Sequence, residues 1–128
     1  MTRPADNSAP GFKNVPRSHI ATRPAAARVR VTAGGEVIAE SRDAIELKEG
    51  GYRPVYYIPR KDVRMDRLER SSHTSYCPFK GCASYFSIVG GSANAAWSYE
   101  RPYDELLDIR DLLAFYPNKV DSISQSDD

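Results

Sequence analysis

A chain of 128 residues and 14.3 kDa has room for one domain and no second. Its 41% hydrophobic and 27% charged residues describe a globular protein, and a net charge of +1 supplies no overall field to hold it on nucleic acid or membrane. No stretch approaches the ~18 apolar residues of a membrane span and no apolar leader opens the chain, so a cytoplasmic, bacterial-type protein with reduced thiols is expected.

Residues 1–16 are rich in Pro, Ala, Ser and Asn and show no period. Such a segment cannot offset its chain entropy by burial, so a flexible or extended N-terminal tail is expected. The domain is expected over 17–123, with a short flexible tail at 124–128. From Arg28 the alternation Arg-Val-Arg-Val-Thr marks a half-buried strand, and Gly34-Gly35 suits a tight hairpin turn into a return strand at 37–41. A second hairpin pairs 44–48 with 55–58 around Gly50-Gly51 and ends at Pro59. A helical turn at 62–65, a short strand at 67–71 and a loop over 72–81 follow. Strands at 83–89 and 95–99 are joined by a turn at Gly90-Gly91. Pro102 suits a first helical position, and Leu106, Ile109 and Leu113 form a stripe at helical spacing, so one C-terminal helix is expected between Pro102 and Pro117. The whole predicts a mainly β, α+β domain of antiparallel hairpins with one C-terminal helix.

Charge is unevenly spread along this framework. Residues 53–80 carry seven Lys/Arg against three Asp/Glu, and residues 100–128 carry three against eight. Two solvated faces of opposite sign account for this, as does a cationic pocket with an acidic helix on the far side. The stretch from Val55 to Ser87 also holds both cysteines and one of the two histidines, His73. Its aromatic, cationic and hydroxylated residues are costly to bury without partners, and this points to a site.

His73, Cys77 and Cys82 are the only clustered metal-capable side chains, and they leave a tetrahedral zinc site short of its fourth protein ligand. No metal and no cofactor are expected. Cys77 sits between His73 and Lys80, where cations would favour a thiolate nucleophile with His73 as base. An inert loop cysteine is the plainer reading. Arg60 and Arg64 can converge on an anionic ligand or on Asp62 and Asp66. Nucleic-acid binding by the basic ladder is not expected at this net charge. Lys80 and Gly81 can present a cation and loop amides to an anion, without the spacing of a phosphate loop. Trp97 is a core anchor, or a pocket wall if its indole edge reaches the polar loop.

Five ordered motifs carry a resemblance. They are G-G-E-V-I-A-E-S from Gly34, P-V-Y-Y-I-P-R-K-D-V-R-M-D from Pro54, H-T-S-Y-C-P-F-K-G-C-A-S-Y-F-S from His73, N-A-A-W-S-Y from Asn94 and A-F-Y-P-N-K-V-D from Ala114. Together, from about Ser18 to Ile123, they resemble the bacterial and fungal domain of unknown function 427 family. The resemblance implies a β-tent fold, two small antiparallel sheets leaning together. Many tent proteins hold zinc in two C-x-x-C knuckles, and this sequence has neither. A nucleotidyltransferase label is attached to the family, but no carboxylate pair or glycine-serine motif of such enzymes occurs here. The polar set implied by position is Tyr57, Arg60, Arg64, Asp66, His73, Thr74, Cys77, Lys80, Gly81 and Trp97. With Tyr85 as a further wall, these residues predict a pocket for a small anionic or aromatic, nucleotide-like molecule. A cysteine-dependent enzyme using Cys77 and His73, and a non-catalytic protein-interaction domain, are the alternatives.

Overall fold

A computed structural model describes residues 7–127. Among the described residues ten strands form three antiparallel sheets, where two were expected. The first sheet has the order β1 (Ile20–Pro24), β4 (Ile45–Glu49), β5 (Val55–Tyr57). The second runs β10 (Ser122–Ser126), β2 (Arg28–Ala33), β3 (Glu36–Ser41), and the third β6 (Leu68–Cys77), β7 (Gly81–Ile88), β8 (Ala96–Ser98), β9 (Ala114–Phe115).

The β2–β3 hairpin forms as its pattern dictates. Val29, Val31 and Ala33 turn inward while Arg28, Arg30 and Thr32 remain partly exposed, and Arg30 meets Glu40 directly across the ladder with Nε–Oε2 at 2.7 Å. Gly34 and Gly35 have φ of 60° and 78°, the paired left-handed conformation that a two-residue hairpin turn demands. The β4–β5 hairpin pairs Ile45 with Tyr57 and Leu47 with Val55, in agreement with expectation.

Strands β7, β8 and β9 of the third sheet carry buried residues on both faces, and their two-residue period divides the core in two. Ala83, Tyr85 and Ala114 pack with Ile20, Leu47 and Tyr57 of the first sheet. Phe86, Ile88, Ala96 and Phe115 pack instead with Val29, Val31 and Ile38 of the second. Trp97 therefore faces the first sheet while its neighbour Ala96 faces the second.

Three expectations change. The C-terminal helix is replaced by a 3-10 segment, Asp104–Ile109, kinked at Leu106. Leu106, Ile109 and Leu113 are fully buried as the stripe required. However, Leu113 exchanges both backbone bonds with Ile58 at 2.8 Å, and Ala114–Phe115 pairs with β8. Once those backbone groups are taken by strands, a helix cannot continue through them. The loop expected over 72–81 is mostly strand, because β6 runs ten residues to Cys77. As an edge strand bonded only to β7, it needs no apolar alternation, and its mixed polarity hid it. Finally, β10 pairs with β2 through Ser126, so strand pairing passes the boundary expected at 123.

Part of the expected N-terminal tail, residues 1–6, lies outside the described residues. Beyond it, Asn7 Nδ2 donates to the Pro102 carbonyl at 3.2 Å, the Ala9 amide donates to Glu105 Oε1 at 2.9 Å, and the Gly11 amide donates to the Pro78 carbonyl at 3.0 Å. Ala9 is buried, and the Phe12 ring meets Phe79 edge-on at 5.0 Å. A Cβ on Gly11 would stand 2.6 Å from the Phe79 ring, so glycine permits this close crossing. Deleting residues 1–16 is expected to lower the melting temperature by about 5–10 °C, the equivalent of one or two kcal/mol in a domain of this size. An unchanged melting curve would show that the strap adds nothing to stability.

Candidate functional site

Between the first and third sheets lies a cavity of about 660 Å³. Six aromatic side chains line it: Tyr52, Tyr57, Tyr85, Trp97, Tyr99 and Tyr116. Their placement follows from strand period. Tyr57 ends β5 pointing inward, while Tyr85 and Trp97 are directly paired across β7 and β8. Trp97 Nε1 donates to the Tyr57 hydroxyl at 3.3 Å, and the two rings meet edge-on at 6.2 Å. The Tyr116 ring lies 4.4 Å from the Trp97 ring. Tyr85 shares its hydroxyl with Ser75 at 2.9 Å and Tyr116 at 3.3 Å. These aromatic contacts order the walls before anything binds.

Burial fixes the protonation of these tyrosines. It raises the phenols of Tyr57 and Tyr99 well above the ordinary value, and burial with the Tyr85 hydrogen bond pushes Tyr116 up to about 12. All three are neutral hydroxyls at physiological pH and can donate as well as accept.

At one side of the cavity stands an ion pair. Lys80 is buried, with Nζ 2.7 Å from Glu49 Oε1 and 3.8 Å from Cys77 Sγ. His19 Nε2 lies 3.9 Å from the other Glu49 oxygen. Burying a lysine is costly unless it is paired, and Glu49 supplies the pairing. Arg53 lines the mouth, is exposed, and has no ion-pair partner among the described residues.

Five of the sequence-predicted residues thus meet at one cavity: Tyr57, Cys77, Lys80, Tyr85 and Trp97. The others do not line it. His73 is exposed on β6 with its ring 4.5 Å from Tyr85, and Thr74 is exposed opposite Ser84. His73 and Cys77 are four strand residues apart, roughly 13 Å along an extended chain, too far for one to deprotonate the other. Arg64 pairs with Asp66 at 3.0 Å in solvent. Gly81, with φ of 113°, starts β7 where a Cβ would meet the Arg101 carbonyl at 3.3 Å, so its role is close packing.

Arg60 belongs to a separate network. Its NH2 donates to Glu100 Oε2 at 2.9 Å and to Ser98 Oγ at 3.1 Å, and its Nε donates to the Asp111 carbonyl at 2.7 Å. Arg70 holds the same carboxylate with two bonds, at 3.0 and 2.7 Å. Both guanidiniums lie over the Phe86 ring, at 5.5 and 4.9 Å. These cations brace the third sheet.

Cys77 and Cys82 are both free thiols. Cys77 faces Gly81 and Cys82 faces Tyr76 across the β6–β7 ladder, so the two side chains leave opposite faces of the sheet. A disulfide between them would require that ladder to open. Among the described residues, no three His, Cys, Asp or Glu side chains gather in a way that could hold a metal. No helix among them is long and apolar enough to cross a membrane.

Sequence reasoning missed Glu49, Tyr52, Arg53, Tyr99 and Tyr116. The first three flank the Gly50-Gly51 turn, and only that turn's position beside the cavity mouth gives them a part. The signal available was the density of tyrosine and charge around the turn. A family model described as a domain of unknown function (DUF427) matches residues 21–126. No curated protein matches the chain.

Proposed function

The chain belongs to the domain of unknown function 427 family, and from that membership and the cavity we propose that it binds a small aromatic molecule bearing an anionic group. The carrying observation is the aromatic cavity with a free arginine at its mouth. About 660 Å³ falls within the ordinary range for small-molecule sites, which are mostly apolar with a few converging polar groups. Trp97, Tyr116 and Tyr99 offer ring faces, and neutral tyrosine hydroxyls offer donors. Among the described residues that line the cavity, Arg53 offers the one uncommitted charge, since Lys80 is neutralised by Glu49. The β-tent resemblance supports the same placement, because tent proteins carry ligands on a sheet face.

The alternative of a cysteine enzyme loses its base with His73 out of reach of Cys77. Cys77 enters this reading as part of the wall.

The chain's single tryptophan reports directly on the cavity. Titration with indole-3-acetate, 4-hydroxybenzoate and adenosine 5′-monophosphate is expected to shift or quench Trp97 emission for at least one of them. The same compound should raise the melting temperature through preferential binding to the folded state. Arg53→Ala should weaken that binding about tenfold, the loss of one charge-assisted hydrogen bond. Silence of both readouts across the whole panel would overturn the proposal.

A further inference from the structure

The aromatic cavity has a neighbour of different chemistry. A smaller slot of about 250 Å³ opens beside β5 and reaches β2, β9 and β10. Its walls include Val31, Pro54, Ile58, Phe115 and Ile123, and Gln125 sits at its edge. Among the described residues that line it, Arg53 is the one that carries charge. Arg53, Val55 and Trp97 line both hollows, so the slot and the cavity meet along one shared border. The free guanidinium stands on that border.

We propose that the two hollows are lobes of one site, and that its ligand has an aromatic head, an apolar arm and an anionic group between them. This rests on the aromatic-anion reading and extends it. The head lies among Tyr57, Tyr99, Tyr116 and Trp97, where ring faces and hydroxyls are available. The arm enters the slot, whose aliphatic and phenyl walls hold water poorly and reward apolar burial. The anion meets Arg53, where a planar fork can hold two oxygens of a phosphate or carboxylate. The difference in wall chemistry sets the direction of binding: a reversed ligand would place its arm against the Lys80–Glu49 pair and its ring where no hydroxyl but that of Tyr56 is in reach. Phosphate diesters joining an aryl group to an alkyl chain have this form.

Phenyl alkyl phosphates with arms of one to six carbons test the idea through Trp97 emission. Affinity is expected to rise about fourfold per added methylene until the slot is full, then to level off. Filling the slot by Ile123→Phe, or by Gln125→Phe at an exposed position, should abolish that rise while Trp97 stays the single tryptophan. Phenyl methyl phosphate should bind both variants as it binds the parent, and melting curves show that each variant is folded. If phenyl methyl phosphate binds but arm length has no effect, or if the rise survives in both variants, the two-lobed site is wrong and the head site stands. If the aromatic acids bind and none of the phosphates does, the two-lobed site is wrong in the same way. If no compound of either series binds, both readings fall together.

Discussion

Acidification is expected to remove about 2–3 kcal/mol of stability through Glu100 alone. Its carboxyl is held down at about 2 from an ordinary 4.5, chiefly by the hydrogen bonds of Arg70, with Arg60 and Ser84 adding to them against a partial burial that opposes. A depressed folded-state pKa means that the folded protein resists taking up the proton. The stabilisation is therefore complete above about 4.5 and is lost progressively as pH falls through about 2. With its side chain 30% exposed, the carboxylate keeps most of this effect from solvent screening. Glu100→Gln should lower stability at neutral pH by a similar amount and flatten the slope between pH 4.5 and 2. Urea denaturation across that range reads both effects. An unchanged slope in the variant would show that the network does not couple to folding. The expected size reflects what the carboxylate joins: the edge strand through Arg70, β7 through Ser84, and the turn at Asp111 through Arg60.

Removing Lys80 should cost as much or more. Lys80→Met leaves the Glu49 carboxylate beside a largely apolar wall without its 2.7 Å partner, and stranding one member of a buried pair costs about 3 kcal/mol. Glu49 remains 23% exposed, which keeps the figure at the lower end of the usual range. The informative variant is the double one. Lys80→Met with Glu49→Gln removes both charges, and it should recover most of the loss, giving a coupling of about 2 kcal/mol in a double-mutant cycle. Strict additivity would mean that the pair is held apart by solvent. The same variants separate structure from binding: a double variant as stable as the parent that still binds the aromatic acids would place Lys80 in the scaffold, with Arg53 alone carrying the anion contact.

By itself the sequence determined the local elements whose cause is local. Alternation in Arg28–Ala33 and the Gly34-Gly35 pair specify a hairpin from a few neighbouring residues, because inward apolar groups and left-handed glycines favour it, although the register shift between Val31 and Thr32 was not legible. It also placed Tyr57, Cys77, Lys80 and Tyr85 in one suspect stretch of chemistry and offered Trp97 as a pocket wall, and these five do share a cavity. The burial of Leu106, Ile109 and Leu113 was legible too, since the hydrophobic pattern speaks to burial whatever backbone carries it. Their backbone form was not legible. A spacing of three and four suits a helix, yet Leu113 pairs with Ile58, far earlier in the chain, and such a partner leaves no trace in the local pattern. The strand at Leu68–Cys77 was hidden for the complementary reason, that an edge strand facing solvent needs no alternation. The same limit divided the arginines. Arg53, Arg60 and Arg64 look alike in sequence, but long-range packing sends Arg60 to Glu100, leaves Arg64 with Asp66 in water, and stands Arg53 free at the mouth. Charge acts through space, so which cation is left to meet a ligand is decided only when the sheets have closed.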